Sequence, residues 1–166
     1  MNLSISWIPW LRRKDSRVGS EGEPTIRLNL ETKSCFVCGP ENPVGLHVPF
    51  ARDGLHGSRA VYTAREEHCG WPGLLHGGVA MALLDEALAW ALYFQGLFGV
   101  TARLETRFRE PIRAGERLII RAWTTEQRKR IVSARAEIRG SDEGNSLLAE
   151  AEATMYLQPL ATSKKD

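Results

Sequence analysis

The chain has 166 residues, of which 43% are hydrophobic and 25% charged, and a formal net charge of +2. That length suits one domain with a core large enough to hold a buried polar group in place. The composition excludes a disordered or fibrous chain, and the near-balanced charge excludes the basic footprint of a nucleic-acid binder.

Residues 1–33 lack periodicity and are expected to form a flexible N-terminal extension. Their opening run "MNLSISWIPWLRRKDSR" puts its basic cluster after a short, proline-interrupted apolar stretch, the reverse of a secretory signal. Trp7, Ile8, Trp10 and Leu11 beside Arg12, Arg13 and Lys14 also allow a tail that touches a membrane surface. "KSCFVCGPENPVGL" is dense in Gly and Pro and reads as the loop that begins the ordered domain. Three cysteines, Cys35, Cys38 and Cys69, are too few for a secreted disulfide framework, so a reducing cytoplasm is the expected compartment. Cys35-x-x-Cys38 is half of a zinc pattern, which His47, His68 or Cys69 would have to complete. One such pair without a second is weak, and the expectation is no metal, no cofactor and thiols that simply pack.

"GLHVPFAR" and "GSRAVYTA", joined through Asp53-Gly54, read as two strands of a hairpin. "EEHCGWPGLL" is a loop. Then comes "LLHGGVAMALLDEALAWALYFQGLFGV", Leu74 to Val100, apolar enough to be buried yet carrying Asp85 and Glu86 side by side. As a membrane span it would place both carboxylates near mid-bilayer at several kcal/mol each, so no integral membrane segment is expected. It reads instead as a helix that is hydrophobic nearly all round because the protein surrounds it, with Ala80, Ala82, Ala87, Ala89 and Ala91 permitting close packing.

After a break at Gly96 to Gly99, "VTARLETRFR" alternates Ala102, Leu104, Thr106 and Phe108 against Thr101, Arg103, Glu105, Arg107 and Arg109. "EPIRAGE" is a turn, and "RLIIRAWTTE", "RIVSARAEIRG" and "SLLAEAEATMYLQ" are three further period-two segments. In the last, Leu147, Ala149, Ala151, Ala153 and Met155 share a face. The order is β-β-α-β-β-β-β. Consecutive hairpin-type connections argue for an α+β domain in which a curved antiparallel sheet wraps one long helix.

Four stretches of this chain resemble the hot-dog fold, specifically the acyl-CoA thioesterases of the phenylacetate-degradation type: "CFVCGPENPVGL", "GWPGLLHGGVAMALLDEA", "GVTARLETRF" and "PIRAGERL". The resemblance covers residues 34–158, leaving 1–33 and a tail at 159–166 outside. It implies hydrolysis of acyl-CoA to free acid and CoA at sites on the interface of a homodimer, with a dimer of dimers as the larger alternative. The same resemblance makes Thr101 the hydroxyl that helps hold the attacking water, although its parity with Arg103 and Glu105 points it away from the core. Some relatives carry an Asn six residues before the His of His-Gly-Gly, where this chain has Gly70.

The residues themselves support that chemistry. Gly77 and Gly78 at a helix start leave backbone N–H groups unpaired at the positive end of the helix dipole, suited to a thioester carbonyl and its oxyanion. Asp85 can act as general base or attack the thioester itself; the bland reading is a buried carboxylate paired with an arginine. It lies eight residues beyond Gly77, ~12 Å along a helix, so one carbonyl cannot meet both unless two helices run antiparallel across a two-fold axis. Glu86, about 100° round the helix from Asp85, reads as a rim or substrate-facing group. His76 orients the loop or touches the substrate, and Arg107, Arg109 and Arg113 are candidates for the phosphates of CoA. Leu84, Leu88 and Leu92 are expected to bound an acyl pocket, and Trp90, Tyr93 and Phe94 suit either core or an aromatic acyl group. A non-catalytic acyl-CoA-binding module on the same fold is the alternative. A hot-dog dehydratase ranks last, since no His stands on the helix.

Overall fold

The central segment forms helix α1, Gly77–Tyr93, because its leucines and alanines recur at helical spacing and two glycines follow a residue able to cap them. The computed structural model describes residues 33–141 and 144–158. The segments expected as an N-terminal extension, with its membrane-touching alternative, and as a C-terminal tail lie outside the described residues, apart from Lys33.

Segments of period two, from four to twelve residues long, make the strands, and the sheet is antiparallel throughout. Strands β1 (Phe50–Asp53), β2 (Gly57–Thr63), β5 (Gly99–Phe108), β6 (Arg117–Arg128), β7 (Ile131–Gly140) and β8 (Leu147–Leu157) form one sheet in the order β1-β2-β6-β7-β8-β5. This is the single helix on a curved antiparallel sheet expected of the hot-dog fold. Within the stretch read as loop, Cys69–Trp71 (β3) and Leu74–Leu75 (β4) pair as a small separate hairpin that delivers the chain to α1.

Two expectations need correction. β5 and β6 are consecutive in sequence but are not neighbours: among the described residues β5 pairs with β8 alone, and 109–116 carries the chain across to the middle of the sheet. Among the described residues, a strand of ten residues is thereby left with an open edge. The first strand is also shorter than read, beginning at Phe50; Leu46 and Val48 upstream bond through their N–H groups to Phe36 and Val37 carbonyls at 2.8 Å each, so this run pairs with the Cys35 loop.

The core lies between the inner face of the sheet and one side of α1. Leu83, Leu84, Ala87, Leu88, Ala91 and Leu92 are fully buried against Ile120, Ala122, Val132, Ala134, Ile138, Ala149, Ala151 and Met155. At ~1.5–3 kcal/mol per fully buried leucine or isoleucine, this face is what holds the helix on the sheet. Ser58, also fully buried, donates its hydroxyl to the Ala87 carbonyl at 2.7 Å, a polar tie between β2 and mid-helix. The sheet curves around the buried side of α1 and leaves one stripe of the helix uncovered. Gly78, Met81, Ala89 and Tyr93 form an exposed stripe at spacings of three and four, with the half-buried Asp85 in its middle.

Candidate active site

Thr101 donates its hydroxyl to Asp85 Oδ1 at 2.6 Å and lies 3.5 Å from Met155 Sδ. Parity alone sends Thr101 outward with Arg103, yet it faces α1. The cause is a β-bulge: Thr101 pairs with Met155 and Arg103 with Thr154, so Ala102 is an extra residue opposite no partner and the alternation slips by one. Upstream of the bulge, Thr101 therefore shares the inner face with Leu104, whose partner Ala153 points the same way as Met155. The hydroxyl takes one carboxylate oxygen and orients the other.

At the helix start His76 is the N-cap, and its Nδ1 accepts from Gly78 N–H at 2.9 Å. Val79 and Ala80 N–H groups reach the His76 carbonyl at 2.9 and 3.2 Å. The expectation of two free donors is thus reduced: Gly78 N–H is taken, and among the described residues none accepts from Gly77 N–H. An accepting Nδ1 places the ring proton on Nε2, so His76 itself presents a donor beside Gly77. Its ring rests on Gly70, where a Cβ would come within 2.8 Å of His76 Cδ2. Glycine at position 70 therefore makes room for the cap. A Cβ at Gly77 would meet only the Phe108 ring, at 3.5 Å, so β5 ends beside this helix start while Thr101, near its beginning, meets mid-helix.

The remaining candidates fall elsewhere. Glu86 turns away from Asp85: its Oε1 accepts from Trp90 Nε1 at 3.0 Å and its Oε2 from Cys35 Sγ at 3.5 Å, so it joins the Cys35–Cys38 turn rather than the Asp85 side of the helix. Burial, followed by Glu86 and Cys35, pushes the Cys38 thiol far above its ordinary range. The i,i+4 spacing of Glu86 and Trp90 was the available signal for that pair. Arg109 is bound to Glu150, whose carboxyl it holds below the usual range, and Arg107 approaches Glu105 at 3.8 Å; neither touches Asp85 within this chain. The Arg113 N–H, in the turn before β6, donates to Glu116 Oε2 at 2.9 Å. Leu84, Leu88 and Leu92 are buried in the core against the sheet. Trp90 stacks on Phe50 and contacts Tyr93 and Phe94, closing the far end of α1 against β1.

Residues 72–146, the stretch that contains α1 and β5 to β7, match the Thioesterase superfamily. Acyl-coenzyme A thioesterase 13 of Mus musculus is 29% identical over 94 residues, covering 55% of this chain and 66% of its own. The matched segments span 33% and 66% of the length of the curated relatives. Among solved structures, a thioesterase superfamily protein superposes with a TM-score of 0.71 at 26% identity, over 84% of this chain and 72% of that one. The E. coli PaaI protein from the phenylacetic acid degradation operon gives 0.64 at 22%, over 69% and 81%. The chain has the hot-dog fold, and within it residues 72–146 are similar to the Thioesterase superfamily.

Proposed function

We propose that the protein hydrolyses acyl-CoA thioesters to a free acid and CoA, with Asp85 as the reacting carboxylate and each active site assembled from both subunits of a homodimer. The observation that carries this reading is the Asp85–Thr101 pair. A carboxylate oriented by a hydroxyl, on the one exposed stripe of an otherwise buried apolar helix, suits reaction better than structure. No arginine or lysine neutralises it among its described hydrogen bonds and ion pairs, as a structural carboxylate would require.

With Oδ1 bonded to Thr101, Oδ2 is the acceptor left over among the described residues. It can draw a proton from a water that attacks the thioester carbonyl, or attack that carbonyl directly to give a mixed anhydride that water then opens. In both routes the carbonyl oxygen becomes an oxyanion that collapses with cleavage of the C–S bond. In the first the proton taken from water passes to the departing sulfur; in the second CoA leaves as thiolate and takes up the proton released when water opens the anhydride and frees Asp85. Gly77 N–H, His76 Nε2–H and the positive end of the helix dipole are the groups suited to the oxyanion, typically at ~3 kcal/mol per donor.

Asp85 and Gly77 share one helix and lie ~12 Å apart along it, so the oxyanion donors must come from a second subunit. The open edge of β5 supports this. If two β5 strands pair antiparallel about a centre between Leu104 and Glu105, Thr101 comes opposite the partner's Phe108. Asp85 stands beside Thr101 and Gly77 beside Phe108, so such pairing would bring the carboxylate of one subunit toward the helix start of the other. The same joint would cover the Met81–Ala89–Tyr93 stripe and put Arg107 and Arg109 near the entrance, where they suit CoA phosphates. Two such dimers would make the larger assembly. The free thiols of Cys35, Cys38 and Cys69 fit a reducing, cytoplasmic compartment.

The deciding experiment measures free-thiol release from short, medium, long and aromatic acyl-CoAs, with size-exclusion analysis in parallel. Asp85→Asn is expected to lower kcat by ~10²–10⁴-fold while the dimer persists. Saturable acyl-CoA binding without turnover in the native protein would replace this reading with that of a binding module.

A further inference from the structure

We propose that Cys35, Cys38 and Glu86 bind a divalent metal ion of the zinc class, a three-ligand site that staples the segment leading into β1 to helix α1. The two Sγ atoms and a Glu86 carboxylate oxygen all lie within 4.8 Å of one another, each half-buried. Around a tetrahedral ion with a sulfur at ~2.3 Å and a carboxylate oxygen at ~2.1 Å, those two ligands stand about 3.6 Å apart. Cys35 Sγ and Glu86 Oε2 are separated by 3.5 Å.

The shape of the turn supports the site independently. Val37 and Cys38 N–H groups both point at Cys35 Sγ, at 3.4 and 3.5 Å, so the backbone is already arranged to stabilise charge on that sulfur. Gly39 follows, and a Cβ there would collide with Cys35 N at 2.4 Å and Lys33 O at 2.5 Å; the tight turn that brings the two sulfurs together tolerates no side chain at that position. Trp90 Nε1–H holds Glu86 Oε1 and leaves Oε2 for the ion, the outer-sphere orientation that metal-binding carboxylates ordinarily have. The residues that a zinc reading of the sequence would have needed to complete the pair are engaged elsewhere: Tyr62 and Arg65 hold His68, the Asn42 carbonyl holds His47, and Cys69 Sγ donates to the Arg65 carbonyl. The third ligand instead comes from the helix, 48 residues beyond Cys38, by a contact that only folding creates.

Binding forms two M–S bonds and one M–O bond, with water in the fourth position. The two thiol protons pass to solvent, and no electron is transferred. The site is separate in residues from the Asp85–Thr101 pair and does not rest on the proposed hydrolysis. Its consequence is structural: the Cys35–Cys38 turn carries Phe36 and Val37, whose carbonyls pair with Leu46 and Val48, two buried core residues. Fastening the turn to Glu86 fastens this core edge to α1.

The full-length protein, kept in a non-thiol reductant and stripped with chelator, is titrated with Co²⁺ and then with Zn²⁺. We expect stoichiometric Co²⁺ uptake, a near-ultraviolet thiolate-to-cobalt charge-transfer band, the strong visible bands of a four-coordinate ion, and displacement of all of these by Zn²⁺. Cys38→Ser should lose the charge-transfer intensity and the Zn²⁺-induced rise in Tm. Glu86→Gln, which leaves both thiols, should raise the Kd and change the visible bands while circular dichroism shows the fold intact. Absence of the charge-transfer band in the native protein overturns the site and leaves a thiol–carboxylate hydrogen bond in its place. A band unchanged in Glu86→Gln overturns the role of the helix ligand.

Discussion

Thr101 turns a general property of carboxylates into a directed one. A free aspartate on an exposed helix stripe samples several rotamers, whereas the Oγ1–Oδ1 bond of 2.6 Å holds one and leaves a single oxygen for chemistry. In the proposed mechanism Thr101 acts through Asp85 as a positioning residue, so its loss should appear in kcat and leave KM nearly unchanged. Thr101→Val, which keeps the shape and removes the donor, is expected to lower kcat by up to ~100-fold, and Thr101→Ser to restore most of it. Equal kcat values for the native and Val proteins in steady-state assays would remove Thr101 from the mechanism. The residue types at 85 and 101 were readable from the chain, but their contact was not. Period-two counting sends Thr101 outward, and the bulge that reverses it sits at Ala102, with no glycine to mark it.

Among the elements, α1 divides its surface into three faces. One is apolar and buried on the sheet. A second carries Glu86 and Trp90 toward the Cys35 turn, and the third presents Gly78, Met81, Asp85, Ala89 and Tyr93 outward. Its position on the sheet is pinned by Ser58, whose hydroxyl to the Ala87 carbonyl is the buried polar tie at its centre. Ser58→Ala is expected to lower unfolding free energy by about 1 kcal/mol in urea denaturation with an unchanged m-value, since the carbonyl retains its helical partner. A change within error would mean that the leucine face alone sets the helix position. The composition of α1 announced a helix with something packed around it. How much of the circumference the sheet covers depends on its curvature, which no local pattern encodes.

At the scale of the whole molecule, the ten-residue open edge of β5 and the exposed stripe of α1 are both unusual for a chain that functions alone, since unpaired long edges invite association. Proposed pairing of two β5 strands accounts for both at once and makes activity a property of the pair. Co-expression of Asp85→Asn with a Gly77→Val chain tests this directly. Each homodimer should be inactive, while the mixed dimer holds one site with both native parts and should recover about half of the native kcat per dimer. Mixed dimers as inactive as the parents would place both groups of each site in one subunit. Phe108, 53% exposed at the end of β5 and beside Gly77, should become buried on dimerisation.

By itself the sequence determined which segments make the six-stranded sheet and which is the helix, though not the small β3–β4 hairpin, because period two and an apolar run with a capped glycine start are local consequences of side-chain direction. It also determined which residue types were available for chemistry: a carboxylate inside an apolar helix and a His-Gly-Gly at its start. Only the tertiary structure decided the partners. The crossover from β5 to β6 left β5 at an edge, the Ala102 bulge turned Thr101 onto Asp85, the His76 ring claimed Gly78 N–H, and folding carried Glu86 to the Cys35–Cys38 turn. Each of these contacts joins atoms whose spacing depends on strand order, register or ring orientation. Those quantities are set by the packing of the whole core rather than by neighbours along the chain.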